Sequence, residues 1–299
     1  MKAPYLWSWL FVALLFMNPS KIWALPIESD TALTLGFESN ALRSFVRMTK
    51  KTKLLNEGNE IADPENKKVT IYNTPLILPI RLSPSLVFTI VAPLLKIESE
   101  KTSAGLQQKN SSSGIGDLQL SIKKAFFKKD GLKKTMRLAW KAGIKLPTGD
   151  ENISPALGSG AVNFIVGGLF TYIEDRFAMH HDLSYKINTE ANGLRIGNRI
   201  QHNVAFEYRM LPERFKSIKD TTLNLIVELN SNYQARSKSG GQSLSNTGGA
   251  TLFLSPGLQI VAGPRFILEG LFQYPLIQEL NGTQLGVDYT ASLGFRYSF

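Results

Sequence analysis

The chain has 299 residues, with 34 Lys and Arg against 24 Asp and Glu, three His and no Cys. The lack of cysteine excludes disulfide scaffolds, cysteine-ligated metal sites and thiol catalysis. Hydrophobic residues make up 43% of the chain and charged residues 19%, a balance that argues against disorder. The mean hydropathy of -0.06 is also compatible with a transmembrane barrel, because its strands alternate lipid-facing and lumen-facing residues.

The N-terminus has the pattern of a secretory signal peptide. Lys2 gives it a basic start, residues 6–17 are almost entirely apolar, and the small residue Ala24 marks the expected cleavage site. A short membrane anchor is the alternative interpretation. We therefore predict a signal peptide over residues 1–24 and one domain over residues 25–299, in which residues 25–69 are the hardest to assign.

The C-terminal residues show the clearest strand pattern. From Tyr289 to Phe299, aromatic and aliphatic side chains alternate with small or polar ones. Successive side chains of a strand point to opposite faces, so this strand has one apolar and one polar face. Similar runs predict about twelve strands, at residues 30–47, 67–82, 86–98, 116–127, 133–147, 161–173, 177–188, 199–211, 222–236, 249–262, 265–279 and 287–299.

The connections between these strands alternate in length. Short turns with Pro, Gly or Asp, such as residues 83–85 and 174–176, alternate with longer polar loops. The basic stretch 211–221 is an exception on the short-turn side. The pattern predicts an all-β, antiparallel transmembrane β-barrel of about 12 strands in the cell outer membrane, with short periplasmic turns and longer extracellular loops. A periplasmic β-sandwich is the alternative.

Glycine recurs in three short segments, residues 114–118 (GIGDL), 143–150 (GIKLPTGD) and 254–259 (LSPGLQ), ahead of a closing segment at 280–299. Together these segments resemble the family described as "Putative MetA-pathway of phenol degradation". The resemblance extends over about residues 70–299. It implies an outer-membrane barrel that passes aromatic or other small apolar compounds, and it supplies no catalytic residues.

The last aromatic residues, Tyr297 and Phe299, resemble the signal by which the barrel insertion machinery recognises outer-membrane proteins. We expect two further kinds of partner, outer-membrane lipid and small-molecule solutes. No glycine-rich loop follows a strand and opens a helix, so nucleotide binding has no support. We predict no cofactor and no binding of nucleic acid.

Charged side chains occupy the inner face of the predicted strands. If they line water, the excess of basic groups favours anions, whereas ion pairs across the barrel would fill the lumen. The candidate lumen-lining residues are Lys123, Arg137, Lys141, Lys145, His180, Asp182, Lys186, Glu207, Arg209, Glu228, Glu269 and Arg296.

The histidines give little support for an active site or a metal centre. His180 and Ser184 share a strand face, but a rise of about 3.3 Å per residue separates them by roughly 13 Å, beyond hydrogen-bonding distance. His180 and Asp182 alone are too few ligands to define a metal site. His181 and His202 are expected on the lipid-facing side. We predict neither catalytic residues nor a metal.

These features predict a barrel that mediates passive passage of small molecules, with aromatic or hydrophobic compounds as candidates. A structural or surface-interaction barrel with a closed lumen is the alternative. A barrel lipid hydrolase is a third and weaker hypothesis.

Overall fold

A computed structural model describes residues 25–35, 40–103, 105–214, 217 and 219–299. The predicted signal peptide, residues 1–24, lies outside the described residues. In the part of the chain that the structure describes, no helix is long and apolar enough to cross a membrane.

Twelve antiparallel strands form a closed barrel, in which β1 pairs with β12 and every other pair is consecutive in sequence. Closure is a physical requirement in lipid, because an open sheet edge would leave backbone groups without hydrogen-bond partners. The strands are β1 Ala41–Lys51, β2 Lys68–Ser83, β3 Leu86–Ser103, β4 Gln119–Gly131, β5 Lys134–Lys145, β6 Asn163–Glu174, β7 Phe177–Asn188, β8 Arg199–Leu211, β9 Thr222–Gln234, β10 Gly249–Ala262, β11 Phe266–Leu280 and β12 Tyr289–Ser298.

The ends of the barrel differ in the length of their connections. Short turns join β2 to β3, β4 to β5, β6 to β7 and β10 to β11 at one end. Asn40 and Phe299 lie at this same end, where the Asn40 N–H donates to the Phe299 carbonyl over 2.8 Å. In barrels of this type the short turns are periplasmic and the longer loops extracellular.

The predicted first strand, 30–47, is wrong in its first half. Strand β1 begins at Ala41, and residues 25–35 form no strand but lie inside the lumen. The alternation around Thr31 and Leu33 resembles a strand, but Thr31 and Ala32 bond to the Thr171 side chain on the inner wall instead of to a neighbouring strand.

The connection at residues 99–115, between the strands predicted at 86–98 and 116–127, is mostly strand. Residues Leu106–Ile115 pair with the C-terminal half of β3, from Leu94 opposite Ile115 to Ser103 opposite Leu106. Both sides of this hairpin are rich in Ser, Gln, Lys and Glu. Sequence alternation fails here because, on the extracellular side of the barrel, neither face meets lipid.

The outer face of the barrel is apolar and the inner face is polar. His181 and His202 lie on the outer face as expected, with ring centroids 5.6 Å apart. Tyr297 and Phe299 stack at 6.4 Å near the end of β12. Large aliphatic and aromatic side chains on many strands point outward, among them Leu183, Leu225, Leu229, Leu258, Ile260, Phe272, Leu293 and Phe295.

We expect Leu229→Arg to weaken the barrel, because Leu229 lies in the middle of β9 on the outer face. A cation at the midplane of a lipid-facing strand costs about 2–4 kcal/mol. Equilibrium unfolding by urea in lipid vesicles measures the change. Leu106→Arg is the matched control, since Leu106 is exposed in the extracellular hairpin. Equal losses in both variants would contradict the assignment of a lipid-facing surface.

Candidate functional site

The lumen is occupied by residues 25–35, which we call the plug. Near its start, the Leu25 N–H donates to Gln259 Oε1 over 3.1 Å, close to the periplasmic end of β10. Its middle reaches the centre of the barrel, where Glu28 pairs with Arg47 of β1. It then returns toward the periplasm, and the Thr34 hydroxyl donates to the carbonyl of Pro84 in the β2–β3 turn over 2.9 Å. The plug is therefore a bent segment inserted from the periplasmic side.

Glu228 on β9 holds the bend of the plug. Its Oε1 accepts hydrogen bonds from the backbone N–H groups of Ile27, at 2.7 Å, and Glu28, at 2.9 Å. Its Oε2 accepts the N–H of Ser29 at 2.8 Å and also the Ser29 hydroxyl. The Glu228 side chain is fully buried, and hydrogen bonds to a charged acceptor are stronger than neutral ones. One carboxylate thus satisfies three consecutive backbone donors that have no strand partner.

Asp30 of the plug joins a row of alternating charges. Its Oδ1 lies 2.9 Å from the Lys123 ammonium, and its Oδ2 lies 3.6 Å from Lys141. Lys141 also contacts Asp182, at 2.8 Å. Burial raises the pKa of Asp30, but the ammonium groups of Lys123 and Lys141 outweigh burial and hold this pKa below its ordinary value. Asp30 is therefore charged at neutral pH and acts as the counterion of two wall lysines.

Nearer the periplasm, two wall arginines donate hydrogen bonds to backbone carbonyl groups of the plug. Arg43 donates to the carbonyl of Ile27, and Arg296 donates to that of Pro26 over 2.6 Å. Both guanidinium groups also contact buried Glu269, at 2.7 Å from Arg43 and 3.1 Å from Arg296. Glu269 thus fixes the two cations in the orientation that the plug needs.

His180 belongs to a hydroxyl chain that ends on the plug. Thr31 and Thr171 hydroxyl oxygens are 2.8 Å apart, and Thr171 Oγ1 lies 2.9 Å from His180 Nδ1. The other ring nitrogen is 3.6 Å from Glu207 Oε1. The hydroxyl beside His180 is already engaged, because it also accepts the N–H of Ala32. The described residues contain no cluster of three or more groups able to hold a metal ion.

The remaining candidate residues lie at the two ends of the lumen. Arg137 lies 3.9 Å from Asp130, and Arg209 lies 3.9 Å from Asp175, both at the periplasmic rim. At the extracellular end, Lys145 pairs with Asp117. Lys186 projects inward from β7 near the same end.

Asp117 was missed as a functional residue, although it belongs to the GIGDL segment. Its Oδ1 accepts the Gly149 N–H at 3.0 Å, and its Oδ2 accepts the N–H and hydroxyl of Ser159, each at 2.9 Å. These contacts fold the loop 146–162 against the barrel mouth. Burial raises the pKa of Asp117, but hydrogen bonds from Lys145, Ser159 and Gly149 hold it below its usual value.

Glycine is required where this loop crosses itself. A Cβ on Gly158 would lie 2.3 Å from the Gly149 carbonyl oxygen and 2.7 Å from Asp117 Oδ1. Real Cβ atoms do not approach this closely, so both the backbone crossing and the Asp117 contact depend on a residue without a side chain. In the sequence, Asp117 and Gly149 stand out only as members of the two segments, 114–118 and 143–150, that carry the family resemblance.

The family model described as "Putative MetA-pathway of phenol degradation" matches residues 71–294. Among solved structures, the COG4313 outer membrane channel from Pseudomonas putida F1 is similar, with a TM-score of 0.71, 12% identity, and coverage of 92% of this chain and 100% of that chain. At this identity the likeness shows the fold. No curated protein matches the sequence.

Two other barrels give weaker structural matches. The transport unit of the autotransporter AIDA-I from Escherichia coli has a TM-score of 0.43, 12% identity, and coverage of 96% of this chain and 97% of that chain. The CymD monoaromatic hydrocarbon channel has a TM-score of 0.38, 9% identity, and coverage of 87% and 88%. Scores this low carry no argument about the present chain.

We expect Asp30→Asn to destabilise the protein at neutral pH by about 1–2 kcal/mol, because Lys123 and Lys141 lose their shared counterion. The value is below that of a fully buried pair, since 36% of the Asp30 side chain is exposed. A carboxylate with a lowered folded pKa contributes stability above its unfolded pKa, near 3.9, and the contribution disappears as pH falls through the folded value.

Urea unfolding of wild type and Asp30→Asn at several pH values tests this pH dependence. The difference between them should be constant above about pH 5 and shrink in strong acid. Glu98→Gln is the control, because Glu98 forms an exposed pair with Lys96 in the extracellular hairpin. A difference that grows as the pH is lowered would contradict the ion-pair assignment.

Proposed function

The chain belongs to the family described as "Putative MetA-pathway of phenol degradation", and from this premise we propose that it is an outer-membrane channel for passive passage of small molecules. The observation that carries the proposal is the plug, because the lumen is filled by a separate segment and not by the packed side chains of the barrel wall. Eight strands give an interior that side chains can fill, whereas twelve enclose a wider lumen.

The inner wall supports this proposal because it is polar over most of its height. Its buried residues include Asn203, Asn224, Asn230, Ser255 and Gln259, which water can hydrate when the plug moves away. Where the plug contacts apolar wall residues, the buried clusters are small, for example Ile27 with Ile226 and Leu271. The plug is held mainly by hydrogen bonds and ion pairs, and these can be exchanged for contacts with water at a modest free-energy cost.

Aromatic or other small apolar solutes are the cargo that the family description favours. The wall formed by β2 and β3 presents aliphatic side chains inward, since Ile71 pairs with the inward-facing Thr49 and Ile77 with the inward-facing Arg43. On the adjacent strand, Ile97 lies opposite Ile71. An apolar solute would find a non-polar surface along this side of the lumen.

The proposal assigns no reaction to the chain. His180 Nδ1 lies 2.9 Å from the Thr171 hydroxyl, which also contacts the plug, and its other ring nitrogen lies 3.6 Å from Glu207. The outer apolar face favours contact with outer-membrane lipid. We also propose that the barrel insertion machinery recognises the exposed terminal aromatics Tyr297 and Phe299.

A reversible lock on the plug tests this function. The hydroxyl oxygens of Thr31 and Thr171 are 2.8 Å apart, so a Thr31→Cys/Thr171→Cys variant brings two thiols together in a chain that has no other cysteine. We expect uptake of glycerol into reconstituted liposomes to fall to the level of protein-free vesicles after oxidation. Reduction should restore uptake, because the plug is then free to leave the lumen.

The single variants Thr31→Cys and Thr171→Cys are the controls and should be insensitive to oxidation. Equal uptake by the oxidised and reduced double variant, with the disulfide verified by mass spectrometry, would show that solutes do not need the plug to move. No uptake in any state would favour the closed structural barrel.

A further inference from the structure

Lys186 and Arg199 are lumen cations that lack an acidic partner. Among the described residues, no carboxylate oxygen lies within 4.0 Å of either charged group, and the side chain of Lys186 forms no hydrogen bond. Arg199 donates only to Gln201 Oε1, at 3.4 Å, and its buried Nε has no partner. A buried donor without a protein partner costs free energy.

The two residues lie directly opposite each other on neighbouring strands, Lys186 on β7 and Arg199 on β8. Directly paired side chains share one face with Cβ atoms about 4.5–5.5 Å apart, and like charges in this position destabilise a sheet. Their inward orientation follows from the alternation that places Asp182 and Asn203 in the buried inner wall. The barrel thus holds two repelling cations at one point of its lumen.

The two carboxylates that act electrostatically on this pair, Asp117 and Glu28, each have another cation as ion-pair partner. Asp117 is bound to Lys145, and Glu28 of the plug is bound to Arg47. Arg47, Lys145, Lys186 and Arg199 give four positive charges against the two negative charges of Glu28 and Asp117, so these six residues together carry a net charge of +2. The other lumen charges differ, since Lys123, Lys141 and Arg296 each contact a carboxylate.

The pair lies on the extracellular side of the plug. Arg199 is the first residue of β8, and Lys186 is close to the last residue of β7, both at the end with the long loops. The aliphatic wall of β2 and β3 lies five strands away around the twelve-strand ring, nearly across the lumen, where Ile71 and Ile97 are close to the same end. A solute that enters from outside meets a cationic wall and an apolar wall before it reaches the plug.

We propose that Lys186 and Arg199 form the binding subsite for the carboxylate of small organic anions that carry an apolar body. The guanidinium of Arg199 presents parallel donors that match a carboxylate, and Lys186 supplies a second, mobile cation. A bound anion removes the repulsion between the two side chains. The inference rests on the proposed function, because it names the solute class of that same lumen.

Binding of benzoate and its neutral analogue benzamide to the folded protein in detergent, measured by titration calorimetry, tests the subsite. We expect wild type to bind benzoate about tenfold more tightly than benzamide, as charge-assisted hydrogen bonds imply. The variant Lys186→Gln/Arg199→Gln should bind both with equal affinity. Lys238→Gln, which removes an exposed cation from an extracellular loop, should keep the preference.

Thermal unfolding separates a binding role from a structural one. The double variant should unfold at the same temperature as wild type or higher, because it loses a like-charge contact. Should the double variant fail to fold, Arg199→Lys provides the second test. This variant keeps the positive charge but loses the parallel N–H donors of the guanidinium group. It is expected to retain only part of the benzoate preference.

The inference is overturned if wild type shows no preference for benzoate, or if the double variant keeps it. Glycerol uptake into liposomes distinguishes this failure from that of the proposed function. Glycerol uptake without a preference for benzoate would support the channel function and contradict the anion subsite. A preference for benzoate without glycerol uptake would support the anion subsite and contradict the channel function.

Discussion

Buried carboxylates on the inner wall need cations and hydrogen-bond donors around them, and the rest of this structure supplies both. Glu228 and Glu269 are almost completely shielded from solvent, and a buried charge is tolerated only when it is paired and hydrogen-bonded. Cross-strand neighbours supply part of what is needed, as Arg43 and Arg296 do for Glu269. Glu228 depends on the plug, whose backbone donates to both of its oxygens.

This dependence connects the closed sheet to function. Lipid forces the strands into a closed ring, and twelve strands make the ring too wide for wall side chains to fill. The plug occupies the remaining space and is bound by polar contacts that water can replace. The same wall can therefore be stable when closed and hydrated when open, whereas a lumen filled by apolar packing would lose its core on opening.

The later strands could be predicted from the sequence because they separate lipid from lumen, and the alternation from Tyr289 to Phe299 directly reflects that difference. The plug could not. Its bond from Ile27 to Glu228 joins residues 201 positions apart, and no local pattern encodes such a contact. The same limit applies to the lumen charges: alternation placed Lys141 and Lys186 on one face but could not show that only Lys141 meets a carboxylate. The 143–150 segment contributed to the family resemblance, but no local pattern revealed that Asp117 would bind Gly149 and Ser159.

Single-channel recording of a variant that lacks residues 25–35 tests the central claim most directly, namely that the plug alone closes the lumen. The account predicts that this variant shows a persistent open-channel conductance in planar bilayers, whereas the full chain is closed for most of the recording. A correctly folded variant that remains closed would contradict it, because the barrel wall or the loop 146–162 would then be the barrier.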